Sequence, residues 1–347
     1  MRIGVVPEGP LERVLLATRA LPTPLLESMT AMMLARTLMV GCKLGVFEAL
    51  AGGALDAEGL AGQIGADARA TRKLLDALVA ARYLRTQGGR YALAPVARKW
   101  LLPEGRTSLR DNLLFRFVEW DLLSGYEAFV RTGKPLDMHD NADASQWSLY
   151  QRGMRSLASL SADEIARRMP VPAQAAALLD IGGSHGLYSV RLCQRHPALR
   201  ATILDLPEAV RHAAPILARE GMGDRVVHRA GNALKDDLGD GAFDVVLISN
   251  LVHHFDDPTN RALARRVARA LRPGGIFAIL EPLRPASPET AGQVGALLDL
   301  FFAMTSASGT WTLEELRDWQ RDAGLAPRHA IRLRTLPGAV IQAATRR

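Results

Sequence analysis

From about residue 175 the chain alternates between short apolar runs and helical patterns, and that rhythm limits its fold more than any other feature. The runs are LLDI (178–181), ATILDL (201–206), RVVHRA (225–230), DVVLIS (244–249) and IFAILE (276–281). Each is rich in Ile, Val and Leu. Strands that are apolar on consecutive positions belong inside a parallel sheet covered on both faces. The starts of the intervening helices agree with this. Pro207 follows Asp205-Leu206, and Asp257-Pro258 and Ser287-Pro288 each pair a cap with a first-turn proline. Thr312 with Glu315 opens another helix. The stretch HAIRLRTLPGAVIQAAT (329–345) gives two strand-like runs around Pro337-Gly338, read as an antiparallel hairpin at the sheet edge.

The first half reads differently. Thr23-Pro24 looks like an N-cap and first-turn proline, with a helix running towards Val40. Residues 43–50 and 56–65 form two more short helices. ARATRKLLDALVAARYL (68–84) is amphipathic, with Leu74, Leu75, Leu78, Val79 and Leu84 near one face. RTQGGRYAL then supplies a Gly-Gly turn between two extended pieces. Helix, helix, helix, hairpin is the order of a winged helix-turn-helix. Longer helices follow over about 108–131 and from about Ser145, and Ser161 with Glu164 makes a capping-box pattern.

At 347 residues the chain is too long for one ordinary core. Its 48% apolar and 23% charged residues mark a soluble globular protein. The net charge of +7 raises nucleic acid as a partner, but the basic residues are 38 Arg and 5 Lys scattered without runs, as a genome-composition bias produces. A DNA-binding reading would put Arg69, Arg72 and Lys73 on phosphates, and the short wing and sparse Arg82, Arg85 and Arg90 argue against it. The apolar stretch 25–50 is broken by Glu27, Arg36 and Lys43, so buried helices with polar faces are expected rather than a membrane span. No secretory leader can be drawn, and Cys42 and Cys193 suit a reducing cytoplasm.

The stretch ALLDIGGSHGLYSVRL (177–192) carries the chemistry. An apolar strand ends at Asp180, and Gly182, Gly183 and Gly186 follow before a helix begins near Tyr188. In open α/β sheets ligands sit at the carboxyl ends of the strands, and bare glycine backbone lets them approach. Nineteen residues beyond Gly186 the second strand ends at Asp205, where a carboxylate can grip a ribose diol. Glycine loop and strand-end acid together indicate an adenosine-type ligand. The spacing is G-G-x-x-G rather than the G-x-G-x-x-G of dinucleotide sites, and it suits a ligand without pyrophosphate.

This stretch resembles motif I of the class I S-adenosylmethionine (SAM)-dependent methyltransferases, D-x-G-x-G-x-G, with Ser184 for the middle glycine and His185 after it. ATILDLPEAV resembles the following segment of the small-molecule O-methyltransferases of the plant caffeate type and the bacterial carminomycin and hydroxyneurosporene type. HRAGNALKDD falls where that subgroup has its adenine-contacting G-D-x-F segment, with Asn232 for the aspartate. FDVVLISNLVHHFDDPTN and ALRPGGIFAILEP match its fourth- and fifth-strand segments. The resemblance runs from about residue 30 onwards. It implies an α/β fold: a Rossmann-like SAM-binding domain with a mostly parallel seven-stranded sheet at 173–347, an N-terminal all-α winged-helix-like dimerisation domain at 1–107, and interdomain helices at 108–172. It also implies SAM as cofactor, bound by Asp180, Gly182, Gly183, Ser184, Gly186, Asp205, Leu206, Gly231, Asn232, Ala233, Ser249 and Asn250.

A methyl transfer to a hydroxyl needs a base for its proton, and a neutral imidazole suits a phenol. By the resemblance His253 stands at the subgroup's base position and Glu281 at its first supporting acid. Thr310 stands where the second acid would be. No metal is expected from His253, His254 and the aspartates after them, because adjacent histidines rarely face one ion. The acceptor pocket is expected between the domains, with Phe117, Trp120, Met154, His254, Phe301, Phe302, Met304 and Trp311 making a site for a flat apolar or aromatic small molecule such as a secondary metabolite. The alternative keeps SAM but methylates carbon or nitrogen, or uses SAM without methylating, with His253 only positioning the substrate. Leu25, Met29, Met32, Met33, Leu38 and Met39 exceed what one small domain readily hides, so a homodimer is expected.

Overall fold

Neighbouring residues on the strands of the second half point to opposite faces, and both faces are filled. The computed structural model describes residues 3–136, 143–306 and 308–347. The chain divides into two compact units, Met1–Phe117 and Val118–Arg347.

In the first unit, the helices Ala31–Lys43, Val46–Ala49, Ala57–Ile64 and Ala68–Ala80 precede a hairpin of β1 (Leu84–Gln87) and β2 (Arg90–Leu93). Gly88 and Gly89 both have positive φ, 57° and 75°, as a two-residue hairpin turn of this hand demands. The core contains Cys42, Val46, Phe47, Leu50, Leu60, Leu75, Leu78, Leu84 and Tyr91. Asp56 and Asp67 cap two helices by accepting the N–H groups of Gly59 and Ala70.

Two expectations fail in this unit. Thr23 is the first helical residue and not the cap, since Pro22 occupies the cap position without a side-chain bond. The stretch Thr23–Lys43 is also not the buried helix expected. Leu25, Met29, Met32, Met33 and Leu34 are exposed, and the burial begins only towards Met39. By length and mean hydropathy, 1.2, this stretch would pass as a membrane span. Its apolar face is longer than the unit's own core can cover.

The second unit is built on one sheet. Its strands are β3 (Ala177–Ile181), β4 (Arg200–Asp205), β5 (Val226–Ala230), β6 (Phe243–Ser249), β7 (Leu271–Pro282), β8 (Leu325–Pro327), β9 (Ile331–Arg332) and β10 (Ala339–Arg346). Their order is β5-β4-β3-β6-β7-β10-β8, with β9 also paired to β10. β3 to β7 are parallel and β10 is antiparallel to β7. β8 and β9 pair with different stretches of β10, so together they make one interrupted edge strand. Leu178, Val245, Leu247, Ala278 and Ile341 pack on one face with the helices Ala162–Arg168 and Leu187–Arg195. Leu179, Val246, Ile248, Phe277 and Ile279 pack on the other with Asp257–Ala270 and Leu313–Asp322. Burying each of the Val, Leu, Ile and Phe side chains among these contributes about 1.5–3 kcal/mol.

The Thr312–Glu315 capping box forms, as does the Ser287 cap. The cap of Asp257–Ala270 is Asp256, one residue earlier than the sequence suggests. The Ser161–Glu164 box does not form. Glu164 instead accepts from the N–H groups of Arg334 and Thr335 and from the Thr335 hydroxyl, joining this helix to the loop between β9 and β10.

Candidate active site

The chain runs from β3 outwards to β4 and β5, then returns to lay β6 against the other side of β3. This reversal opens a crevice at the carboxyl ends of the strands. Asp180, Asp205, Ser249 and Glu281 all stand at or next to those ends.

The loop after β3 holds its shape through specific contacts. Gly182 and Gly186 have φ of 67° and 75°. A Cβ on Gly183 would lie 2.5 Å from the Asp180 carboxylate, and one on Gly186 would lie 2.5 Å from Ile203 Cδ1. Asp180 is fully buried and accepts from Ser189 Oγ at 2.7 Å, while its Oδ1 has no partner among the described residues. Burial pushes its carboxyl up to about 7. Ser184 takes the left-handed conformation, φ 51°. Its N–H donates to Asp205 Oδ2 at 2.8 Å, and its carbonyl accepts from His228 Nε2 at 2.8 Å. Asp205 Oδ1 accepts from the Leu206 N–H at 2.8 Å, and burial raises this carboxyl too. His185 is buried, and desolvation pushes its imidazole down to about 3, so it is neutral. Its Nδ1 accepts from the Leu187 N–H.

The turn after β5 is equally tight. A Cβ on Gly231 would lie 2.5 Å from Asp236 Oδ2, the oxygen that accepts from the Asn232 N–H. Asn232 Oδ1 accepts from the Leu234 N–H at 2.9 Å, which leaves the amide NH₂ as this side chain's remaining polar group. Ala233 closes the turn, and Arg266 Nε donates to its carbonyl.

Across the crevice, β6 ends at Ser249, Asn250 adopts φ 50°, and a single turn carries Val252–His254. His253 and Glu281 are both buried, with His253 Nδ1 3.1 Å from Glu281 Oε2. Glu281 Oε1 accepts the N–H groups of Leu251 and Val252 at 2.7 and 2.9 Å. With Nδ1 as donor to the carboxylate, Nε2 is the ring nitrogen not used by this pair. The turn is fastened further by Asn260 Nδ2 and Trp311 Nε1, which both donate to the Val252 carbonyl. Ser308 Oγ donates to the His253 carbonyl at 3.0 Å.

The aromatic residues singled out from the sequence separate into different settings. The Phe302 ring lies 4.1 Å, centroid to centroid, from His253, and His254 lies 4.3 Å from it. Phe301 meets Phe302 edge-on at 5.8 Å. Met304 and Trp311 are buried, and Trp311 packs against Trp319. Trp120 and Met154 sit on the helices Arg110–Leu122 and Ala144–Ala158. Phe117 is flanked by the cations of Arg36 and Lys43, 4.9 and 4.7 Å from its centroid. Thr310 donates through both N–H and Oγ to Asp299 Oδ1, so a carboxylate absent from position 310 reaches it from the helix Pro288–Thr305. Asp299, His228, Asn260 and Ser308 escape the sequence reading: His228 and Asn260 lie inside its motif segments but have no role assigned there, and Asp299 and Ser308 are brought in by the fold. Among the described residues no cluster of His, Cys, Asp and Glu could hold a metal ion.

The family model of the O-methyltransferase domain matches residues 126–325, and that of the O-methyltransferase dimerisation domain matches residues 26–103. The chain belongs to the O-methyltransferase family. Among the curated relatives of this methyltransferase is a 3-hydroxy-5-methyl-1-naphthoate 3-O-methyltransferase of Streptomyces sahachiroi, 31% identical over 92% of this chain and 93% of the relative. An N,N-dimethyltransferase of Streptomyces rimosus is 28% identical over 93% and 96%. Human N-acetylserotonin methyltransferase, solved with SAM, shares the fold with a TM-score of 0.81 at 20% identity, covering 99% of each chain. The methyltransferase is SAM-dependent, and its residues fit that donor. Acids at the ends of β3 and β4 suit a cationic ligand with a ribose. The unpartnered Asp180 Oδ1 leaves an acceptor for a donor group that the protein does not supply.

Proposed function

We propose that this methyltransferase methylates a hydroxyl of an aromatic or polyketide-like small molecule in secondary metabolism, with His253 as general base. SAM supplies an activated methyl group when bound. The chain's own task is to hold the acceptor, keep water out and remove one proton. The observation that carries the reading is the buried His253–Glu281 pair: with Nδ1 engaged by the carboxylate, Nε2 is the ring nitrogen left to take a proton. Glu281 fixes the tautomer and favours the imidazolium formed when the proton is taken, as the acid of a catalytic triad does. Phe302 against the imidazole offers the flat apolar surface that an aromatic acceptor requires. Gly182–Gly186, Asp205 and Leu206 hold the donor, with Gly231, Asn232 and Ala233 at its base and Ser249 and Asn250 beside β6. The naphthoate specificity of the Streptomyces sahachiroi relative supports an aromatic hydroxyl. The exposed apolar face of Thr23–Lys43, which from residue 26 onwards falls in the matched dimerisation domain, is read as the seam of a homodimer.

The test is His253→Gln with a phenolic acceptor. SAM binding by calorimetry is expected to persist while turnover falls by about 10²–10⁴. The deficit should shrink as pH rises towards the acceptor's own pKa, because solvent then supplies the phenolate. Glu281→Gln should show a smaller loss with the same pH trend. A loss under tenfold that is flat in pH would favour the second reading, methylation of carbon or nitrogen with His253 only positioning the substrate. The N,N-dimethyltransferase among the relatives is what favours that alternative.

A further inference from the structure

Gln151 lies on the helix Ala144–Ala158 with its side chain fully buried. Its Oε1 accepts a hydrogen bond from the Ser184 hydroxyl. Its amide Nε2 has no partner among the described residues. Ser184 is itself fixed through its N–H to Asp205 and through its carbonyl to His228. The glycine loop, the acid at the end of β4 and Gln151 therefore form one tied unit, with a bare N–H donor held beside the loop.

A buried amide donor left unpaired is costly, and an apolar side chain of similar size would carry no such cost. The donor makes physical sense if its acceptor arrives with the ligand. SAM offers adenine nitrogens, ribose oxygens and an α-carboxylate. The ribose falls to Asp205, which is itself an acceptor. The adenine falls to the turn at Gly231–Ala233, after β5, which lies beyond β4 from β3. Ser184 belongs to the loop after β3, at the methionyl end. Beneath that same loop Asp180 Oδ1 is a buried acceptor without a partner. A donor and an acceptor, both unpaired, flank the loop as a zwitterion requires.

We propose that Gln151 Nε2 donates to the α-carboxylate of SAM and is a binding residue for the methionyl end. The inference rests on reading Gly182–Gly186 as the SAM loop. Gln151→Glu separates this role from simple support of the loop. It keeps an acceptor for the Ser184 hydroxyl and replaces the free donor with an anionic oxygen. Calorimetry on the full chain at about pH 8 would compare SAM with decarboxylated SAM, which lacks only the carboxylate. SAM affinity is expected to fall tenfold or more, as loss of a hydrogen bond to a charged group implies at ~1.4 kcal/mol per tenfold. Affinity for decarboxylated SAM should hold. Gln151→Met, which introduces no buried charge, should show the same discrimination if the glutamate variant fails to fold. An equal loss for both ligands, or no loss for either, would overturn the proposal. Asp205→Ala, measured alongside, should weaken both ligands. If it does so while the Gln151 variants bind like the wild type, this inference alone falls. If it weakens neither, the site reading falls and this inference with it.

Discussion

Asp180 shows how one buried side chain links folding to the binding site. Its carboxyl lies at about 7 in the folded chain because burial penalises the charge, against about 4 in an unfolded chain. Between those values the native state keeps a proton that the unfolded state has lost, so stability falls as pH rises through about 4 to 7. Above about 7 the whole penalty, on the order of 4 kcal/mol, is present. His185 works in the opposite sense over an overlapping range. Its imidazole lies at about 3 in the folded chain, and stability is lost as pH falls below about 6.5. Total stability would mix the two, so the difference between Asp180→Asn and the wild type is the useful quantity. In urea unfolding the variant's relative advantage should grow from pH 4 to pH 7 and level off above. A difference that stayed flat would show that burial does not hold the proton on Asp180. Asp180 and Asp205 were legible in the sequence because each lies at the end of an apolar run, where strand ends must lie, whereas His253 and Glu281 were singled out by the family resemblance. Gln151 and Asp299 were legible by neither route, because each sits on a helix, 33 and 11 residues from the partner it serves, and no local spacing announces either contact.

At the scale of elements, the sheet was legible and several helix ends were not. The apolar runs of the inner strands matched because burial on both faces leaves polar residues little place, and RVVHRA, at the sheet edge as β5, keeps His228 and Arg229. Capping patterns are weaker signals, since a carboxylate near a helix start takes whichever donors the fold offers. Glu164 has the backbone of Arg334 and Thr335 within reach, so it leaves the Ser161 cap unmade. The loop after β3 makes its own prediction. Gly186→Ala would place a side chain at φ 75°, with its Cβ 2.5 Å from Ile203 Cδ1. The left-handed conformation costs about 1–2 kcal/mol, and the overpacking about 1–3 kcal/mol. Denaturant unfolding should show a loss in that combined range, and SAM binding should weaken because Gly186 caps the helix that closes the loop. Wild-type stability in this variant would mean that the loop tolerates a side chain at its tightest point.

For the whole molecule, the exposed row of Leu25, Met29, Met32, Met33 and Leu34 is the main imbalance between sequence and fold. The sequence expectation of apolar residues surplus to one small domain holds for Leu25, Met29, Met32 and Met33, while Met39 is buried and Leu38 packs against the core, and the N-terminal part of the helix is open where a buried one was expected. A solvent-facing apolar row of this length marks a surface for another chain. Met32→Glu with Met33→Glu should convert the expected homodimer to a monomer in light scattering at micromolar concentration, with the helical signal of the chain largely kept. A wild type that scatters as one chain mass throughout that range would refute the dimer.

The position of β10 also sets an order of events during synthesis. β10 is made after β8 and β9, yet it lies between them and β7. Until it emerges, β7 presents an unpaired edge running through Ile276, Phe277 and Ile279, the kind of edge that recruits foreign strands. The first unit is complete by Phe117, long before that edge can close. Domains made first fold first. The greatest risk of misassembly therefore falls in the interval before residue 346 is made, when the first unit can already be folded and the β7 edge is still open.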